Sequence, residues 1–395
     1  MKNRKIIKKT PYYSYRLGNL PKGCRLCVKG EKLVLFITGI CNNKCFYCPL
    51  SELRMDKDVV YANEWDTKIK EHKLTDKELN IIIKEAKLCD AKGAGITGGE
   101  PLIFVDRTVE AIKRLKKEFG KKFHIHLYTI LKNITKEKLE MIYNSGLDEI
   151  RFHPMVWNKK EWSKILLAKQ FGWSIGVEIP AIPCYEKETK ELIDFLNEKI
   201  GFLNINELEM SDTNSEELIK RGLKTKSQLS YAVKGSEELA LKIMKYCKEK
   251  DYSFDVHYCT CKLKDAVQMA QRIKKRAKNV SYNFDKITKE GMLIRGAIYL
   301  KYFMPSFSYR KKINSLNKKD KEKILEKLEE IKKLIIKKLK IRNDLIAIDD
   351  FKLRLLTSHK LMKKIKSQFE LKDITYAIVE EYPTADAVEM NVEFL

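Results

Sequence analysis

The chain reads as an α/β protein built on parallel strands, followed by a basic helical segment and a small C-terminal α+β region. Two observations predict this. First, from Leu33 onward, short apolar runs rich in β-branched and aromatic residues alternate with stretches of helical periodicity, the pattern of parallel strands joined by crossover helices. Second, the alternation stops near residue 262, and a lysine-dominated stretch takes over before strand-like runs return near the C-terminus.

The strand candidates are 33–38, 94–97, 123–129, 148–153, 174–179, 204–209 and 253–258. Between them, helical spacing predicts helices near 75–92, 106–118, 135–145, 158–171, 186–199 and 235–250. Thr75 with Glu78 three residues later, and Thr135 ahead of Lys136 and Glu137, are start signals. Two connections are long enough to be lids or binding elements, 49–74 and 210–234. Before the first strand lies a basic, aromatic arm, 1–20, and then Cys24-Arg25-Leu26-Cys27 ending in Gly30, which reads as half of a metal knuckle. After the last strand come His257-Tyr258-Cys259-Thr260-Cys261 and a basic helix over 264–276. Residues 308–342 have helical spacing and are expected to form an amphipathic helix. The stretch 345–395 holds a short strand, a helix near 352–368 and two further strands. The expected organisation is therefore an arm and knuckle, 1–32; a barrel region, 33–262; a basic helical segment, 263–342; and an α+β region, 343–395.

Composition sets the class. With 395 residues, 44% of them hydrophobic, the chain has enough apolar material for a sizeable core. No apolar stretch approaches the length of a membrane span, and the basic N-terminus leads into no apolar run, so the expectation is a soluble, cytoplasmic protein without membrane association. The net charge of +25 invites a polyanionic partner, RNA and especially tRNA. Only 14 of the 79 basic residues are arginine, however, and lysine enrichment has causes other than nucleic acid. Ten cysteines in such a chain argue for metal rather than disulfides. Seven fall in tight groups; Cys89, Cys184 and Cys247 stand alone and are expected to pack.

The chemistry concentrates in Cys41-Asn42-Asn43-Lys44-Cys45-Phe46-Tyr47-Cys48, directly after the first strand candidate. Three thiols at one centre leave a coordination position open. On spacing alone they are equally three zinc ligands awaiting a fourth, or small apolar core residues. About fifty residues on, the second strand candidate runs into Gly98-Gly99-Glu100-Pro101. In this order, each after a strand, the two motifs make the chain resemble the radical S-adenosylmethionine superfamily, with its C-x3-C-x2-C loop, the aromatic before the third cysteine (here Tyr47) and its G-G-E-P turn. The resemblance covers about residues 33–260. It implies a partial (β/α)6 TIM-like barrel and a 4Fe-4S cluster on Cys41, Cys45 and Cys48. It further implies reductive cleavage of S-adenosylmethionine to a 5'-deoxyadenosyl radical, with electrons from a donor such as ferredoxin or flavodoxin. Gly98, Gly99, Glu100 and Pro101 would meet the methionine end; Tyr47, Arg151, His153 and Glu178 would lie against the rest of the cofactor. No residue is singled out as catalytic. His124 and His126, on one face of the third strand, are as compatible with an interior polar role.

The whole chain is also similar to an archaeal group related to pyruvate formate-lyase activating enzymes. It departs from glycyl-radical activases in carrying Arg151-Phe152-His153 where they carry Asp-x-Lys. The first substrate expectation is RNA modification, on charge and the basic helices; the second is modification of a protein or activation of a partner enzyme. A non-enzymatic, metal-stabilised RNA-binding protein is the third, and the Gly98–Pro101 turn counts against it. A second metal site, zinc or an auxiliary cluster, is expected from Cys24, Cys27, Cys259 and Cys261, with His257 able to replace one cysteine, because a partial barrel leaves its first and last strands side by side across the opening.

Overall fold

A computed structural model describes residues 6–369 and 371–395, so the basic start of the arm lies partly outside the described residues. The chain forms two compact units, 1–272 and 273–395. In chain order, unit one holds β1 (Ile7–Lys9), β2 (Tyr15–Leu17), α1 (Lys22–Cys27), β3 (Lys32–Phe36), β4 (Tyr61–Ala62), β5 (Trp65–Asp66), α2 (Asp76–Leu88), β6 (Gly93–Thr97), α3 (Val105–Phe119), β7 (His124–Ile130), α4 (Lys136–Asn144), β8 (Glu149–His153), α5 (Lys159–Trp162), β9 (Ser174–Ala181), α6 (Glu186–Leu196), β10 (Phe202–Glu207), α7 (Ser215–Lys220), β11 (Thr225–Ser227), β12 (Ser230–Val233), α8 (Ser236–Glu249) and β13 (Asp255–Cys259).

Seven of these strands run parallel, in the order β13-β10-β9-β8-β7-β6-β3. This is the expected partial barrel, and it stays open. The free side of β3 pairs with β4 and that of β13 with β2, both antiparallel, so neither edge is left bare. The barrel forms because each strand alternates. Ile125 and Leu127, Ile150 and Phe152, Val177 and Ile179, Leu203 and Ile205, and Val256 and Tyr258 enter the apolar core shared with the helices. Their neighbours His126, Arg151, Glu178, Asn204 and His257 take the opposite, lumenal face. Helix starts follow the sequence signals: Thr75 and Glu78 make a full capping box on α2, and Thr135 caps α4. Lys22–Cys27 form a short helix, α1, and 28–30 a turn, rather than an extended knuckle. It touches β3, β6 and β7. Gly23 donates its N–H to Glu149 Oε2 at 3.4 Å, and Leu26 lies beside Gly93, so α1 sits at the amino ends of the strands.

Helix α9 (Ala270–Val280) leads into unit two, which contains β14 (Lys286–Ile287), β15 (Leu293–Leu300), α10 (Tyr309–Ser315), α11 (Lys318–Leu339), β16 (Ile346–Asp349), β17 (Arg354–Thr357), α12 (His359–Gln368), β18 (Ile374–Glu381) and β19 (Glu389–Phe394). The sheet order is β16-β17-β15-β18-β19, all antiparallel, and the succession β15-α11-β16-β17-α12-β18 is the β-α-β-β-α-β arrangement of ferredoxin-like folds. Helix α11 buries Leu328, Ile331 and Ile335 and leaves its lysines outside, as an amphipathic helix should. One core thus draws on both the basic helical segment and the C-terminal strands. The helix expected near 352–368 begins only at His359. Residues 354–357 are buried throughout and pair with β15 and β16, and Ser358 caps the helix behind them. Among the described residues, no helix is long and apolar enough to cross a membrane.

Candidate functional site

The loop after β3 and the turn after β6 meet at the carboxyl ends of the strands through their main chains. Gly99 N–H donates to Thr38 O at 2.7 Å and Glu100 N–H to Ile40 O at 2.9 Å. A Cβ on Gly98, whose φ is +151°, would lie 2.3 Å from Thr38 O, and one on Gly99 would lie 2.5 Å from Ile40 O. Only glycines allow so close an approach. On the other side, Gly39 sits under the 51–57 turn, where a Cβ would meet Arg54 O.

Glu100 is fully buried. Its carboxylate accepts from Leu102 N (2.9 Å), Thr129 Oγ1 (2.7 Å) and Ile130 N (2.8 Å), which ties the turn after β6 to the end of β7. Burial pushes its pKa up to about 7 in spite of these donors. The carboxylate thus shapes the turn.

Cys41, Cys45 and Cys48 are half-buried on this loop. Burial raises all three thiols, Cys45 to about 12. Several anchors hold the loop. Tyr47 is buried with its hydroxyl 2.9 Å from His153 Nε2 and 3.4 Å from Met155 Sδ. His153 Nδ1 lies 2.8 Å from Glu178 O. A carbonyl only accepts, so the ring proton is on Nδ1 and Nε2 accepts from Tyr47. Burial lowers the pKa of His153, consistent with that neutral tautomer. Asn214 donates to Tyr47 O (3.1 Å) and Thr213 to Cys48 O (3.3 Å), so the long connection after β10 clamps the cysteine loop. The other long connection is tied down by Asp58, which receives a two-pronged bond from buried Arg107 (2.6 and 2.9 Å). Arg107 also donates to Ile37 O and His72 O. Burial favours protonation of Asp58, but Arg107 and His72 outweigh it and hold its pKa low.

Arg151 and Glu178, expected against the cofactor, pair with each other in the lumen at 2.9 Å. Arg151 also donates to Glu149 Oε1 (2.6 Å) and Tyr128 OH (3.1 Å), and Glu178 accepts from Asn204 and Asn206 (2.8 and 2.9 Å). Both nitrogens of His153 are likewise engaged. His126 Nε2 lies 3.3 Å from Lys32 Nζ, and His124 Nε2 3.4 Å from Glu149, so both histidines face the lumen as their period-two spacing predicts.

Deeper, at the level of α1, Cys24 accepts from Asn204 Nδ2 at 3.3 Å and lies 3.5 Å from Arg151. Burial raises this thiol, and Arg151 and His257 more than offset it, bringing it to about 7. Cys27 and Cys259 share a small apolar group with Leu263 and Val267. The main-chain N–H of Cys261 donates to Glu207 Oε2 at 2.9 Å. Of the isolated cysteines, Cys89 and Cys247 are buried as expected, but Cys184 is exposed on the rim. The clamps Asn214, Thr213, Asp58 and Arg107 were not singled out in the sequence; only the length of the two connections pointed to them.

The family model described as the radical SAM superfamily matches residues 35–196. A Methanocaldococcus jannaschii protein, named as a candidate glycyl-radical enzyme activating enzyme, is 42% identical over 391 residues, 96% of this chain and 94% of its own. Among solved structures, methylornithine synthase has 15% identity and a TM-score of 0.37, over 55% of this chain and 61% of its own. Coproporphyrinogen III oxidase from Escherichia coli has 11% and 0.35, over 58% and 56%. The chain thus spans less than two thirds of either structure. Members of the superfamily use a 4Fe-4S cluster and S-adenosylmethionine, and a three-thiol loop backed by a bare glycine turn fits that pair of cofactors. With a near-full-length relative at that identity, the chain belongs to the radical SAM superfamily and is an S-adenosylmethionine-dependent iron–sulfur enzyme.

Proposed function

We propose that Cys41, Cys45 and Cys48 hold the cluster, that the Gly98–Pro101 turn receives the methionine end of S-adenosylmethionine, and that the enzyme acts on a polypeptide, as the activator of a glycyl-radical enzyme. When bound, the two cofactors supply one-electron cleavage of a sulfonium C–S bond and abstraction of a hydrogen atom from the target, with the electron entering from an external donor of the ferredoxin or flavodoxin class. The chain's own residues do the positioning. Gly98 and Gly99 bring bare main chain to the amino-acid end of the ligand, and Glu100 holds that turn in place. The Tyr47–His153 bond fixes the aromatic ring of the cysteine loop, while Asn214 and Thr213 keep the loop against the barrel rim.

The observation that carries this reading is the main-chain pairing of 38–40 with 98–100, since it sets the thiol loop against the glycine turn. The polypeptide target is supported by the name of the M. jannaschii relative. The RNA alternative rests on the +25 charge and finds no support there. Arg151-Phe152-His153 in place of Asp-x-Lys means that a fourth-strand lysine is not part of this site, and Arg151 is spent on internal pairs.

Isotope transfer tests the target. Reconstituted, reduced enzyme would be given RNase-treated protein from cells grown on glycine deuterated at Cα, and separately the RNA fraction of the same cells. Deuterium should appear in the recovered 5'-deoxyadenosine with the protein fraction only. Turnover driven by the RNA fraction would sink the polypeptide reading.

A further inference from the structure

Three thiols in the lumen have no part in the reaction described above. Cys24 and Cys27, three residues apart, share one face of α1. Cys259 ends β13, and His257, two residues earlier on that strand, takes the same face. The antiparallel pairing of β2 with β13, Val256 opposite Leu17 and Tyr258 opposite Tyr15, brings the chain leading into α1 alongside β13. Cys27 and Cys259 then pack in one group, and His257 stands opposite Asn204 in the β10–β13 register, whose side chain donates to the sulfur of Cys24 at 3.3 Å.

His257 supplies the independent sign. Its ring is 2% exposed. Nε2 lies 3.4 Å from Ser14 Oγ, itself 2.6 Å from Thr10 Oγ1, whereas Nδ1 meets no hydrogen-bond partner. A buried imidazole nitrogen without a partner is costly unless something fills its lone pair. The surroundings are those of a metal ligand set: Ser14 takes the far ring nitrogen of His257, and Asn204 and Arg151 donate to the sulfur of Cys24.

We infer that Cys24, Cys27, Cys259 and His257, through Nδ1, form a second metal site that takes a zinc ion. Three thiolates and one imidazole are a structural zinc set. The site keeps three of the four cysteines expected from the sequence and takes up the replacement of the fourth by His257. Cys261 is excluded because Glu207 holds its main chain and both Glu207 and Glu209 flank its thiol, and His257 takes its place. Among the described residues, no three His, Cys, Asp or Glu groups stand close enough together to hold an ion. That is equally true of Cys41, Cys45 and Cys48, so in both places the ligands gather on loading. The ion would tie α1 and the chain before β3 to β13, closing the open side of the barrel.

The test uses the full chain with Cys41, Cys45 and Cys48 all changed to Ala, so that nothing in it depends on cofactor chemistry. Purified without chelator, this protein should hold about one zinc per chain. After zinc removal, added Co2+ should give sulfur-to-cobalt charge-transfer absorption. Cys24→Ser, Cys259→Ser or His257→Gln should each cut bound zinc at least tenfold, and Cys261→Ser should leave it unchanged. A triple variant that holds no zinc and develops no cobalt absorption would overturn the site, even if the single variants fold poorly. Loss of zinc in Cys261→Ser with retention in His257→Gln would overturn the ligand set. Iron–sulfur absorption in place of zinc would overturn the choice of metal.

Discussion

Two trios of cysteines lie in the same barrel, and the chain builds around them in opposite ways. Cys41, Cys45 and Cys48 lie within eight residues of one another, half-buried on a rim loop that main-chain bonds shape. Cys24, Cys27 and Cys259 come from the two ends of unit one; Cys24 sits among side-chain hydrogen bonds, and Cys27 and Cys259 pack in a small apolar group. The rim leaves its thiols half-buried and sets a glycine turn against their loop. In the lumen, Arg151 pairs with Glu149 and Glu178, and Glu178 also accepts from Asn204 and Asn206. The comparison teaches that one parallel barrel can present one group of thiols on a loop held by main-chain bonds and bury another among packed side chains.

The sharpest way to break this comparison is to exchange the losses. Changing Cys41, Cys45 and Cys48 to Ala should abolish cleavage of S-adenosylmethionine to 5'-deoxyadenosine and methionine in the reconstituted, dithionite-reduced enzyme. Residual cleavage above the protein-free background would overturn the rim assignment.

Next in size is Arg151→Met in the lumen. It leaves Glu149 and Glu178 buried without their cation, which should cost about 3–5 kcal/mol of stability in denaturant melts. A cost below 1 kcal/mol would mean that the lumenal ion pairs are not preorganising anything.

Glu100 offers a pH test of the rim. The folded protein holds this proton up to about pH 7, an unfolded glutamate only to about 4.3. Between those values the folded state binds more protons, so the contribution of Glu100 to stability is full below the lower value and is lost as pH rises through the upper one. The stability of the wild type relative to Glu100→Gln should therefore increase as pH is lowered from 8 to 5, by about 3 kcal/mol at most. A pH-independent difference would show that the bonds from Ile130, Thr129 and Leu102 keep Glu100 ionised throughout.

The smallest expected effect sharpens the role of bare backbone. Gly98→Ala forces a Cβ to 2.3 Å from Thr38 O and should cost about 1–3 kcal/mol, read as a roughly 10- to 100-fold loss of S-adenosylmethionine affinity by calorimetry. Gly201→Ala, whose Cβ would stand 3.5 Å from Ile175 O, should stay within about 0.5 kcal/mol of wild type. Equal effects at the two positions would remove the argument for close approach.

What the amino-acid sequence determined by itself was everything carried by neighbours along the chain. Short apolar runs rich in β-branched and aromatic residues, set between stretches of helical spacing, placed all seven parallel strands within a few residues, because each buried strand carries its own apolar side chains. The cysteine loop and the Gly98–Pro101 turn were legible because each is a fixed local spacing after a strand. Helix starts at Thr75 and Thr135 were legible because a cap bonds to its own first turn. The strand β15, the hairpin β11–β12 and the strand β17 were missed or misassigned. Residues 354–357 owe their conformation to partners on β15 and β16, which no local pattern names. Only the tertiary structure decided that Arg151 meets Glu178 and Cys24, that Asn214 clamps Tyr47, and that His257 lies beside Cys24. Those pairs lie 27 to 233 residues apart and depend on strand register and on where α1 seats, and a shift of one residue along any strand would turn every one of its side chains to the opposite face.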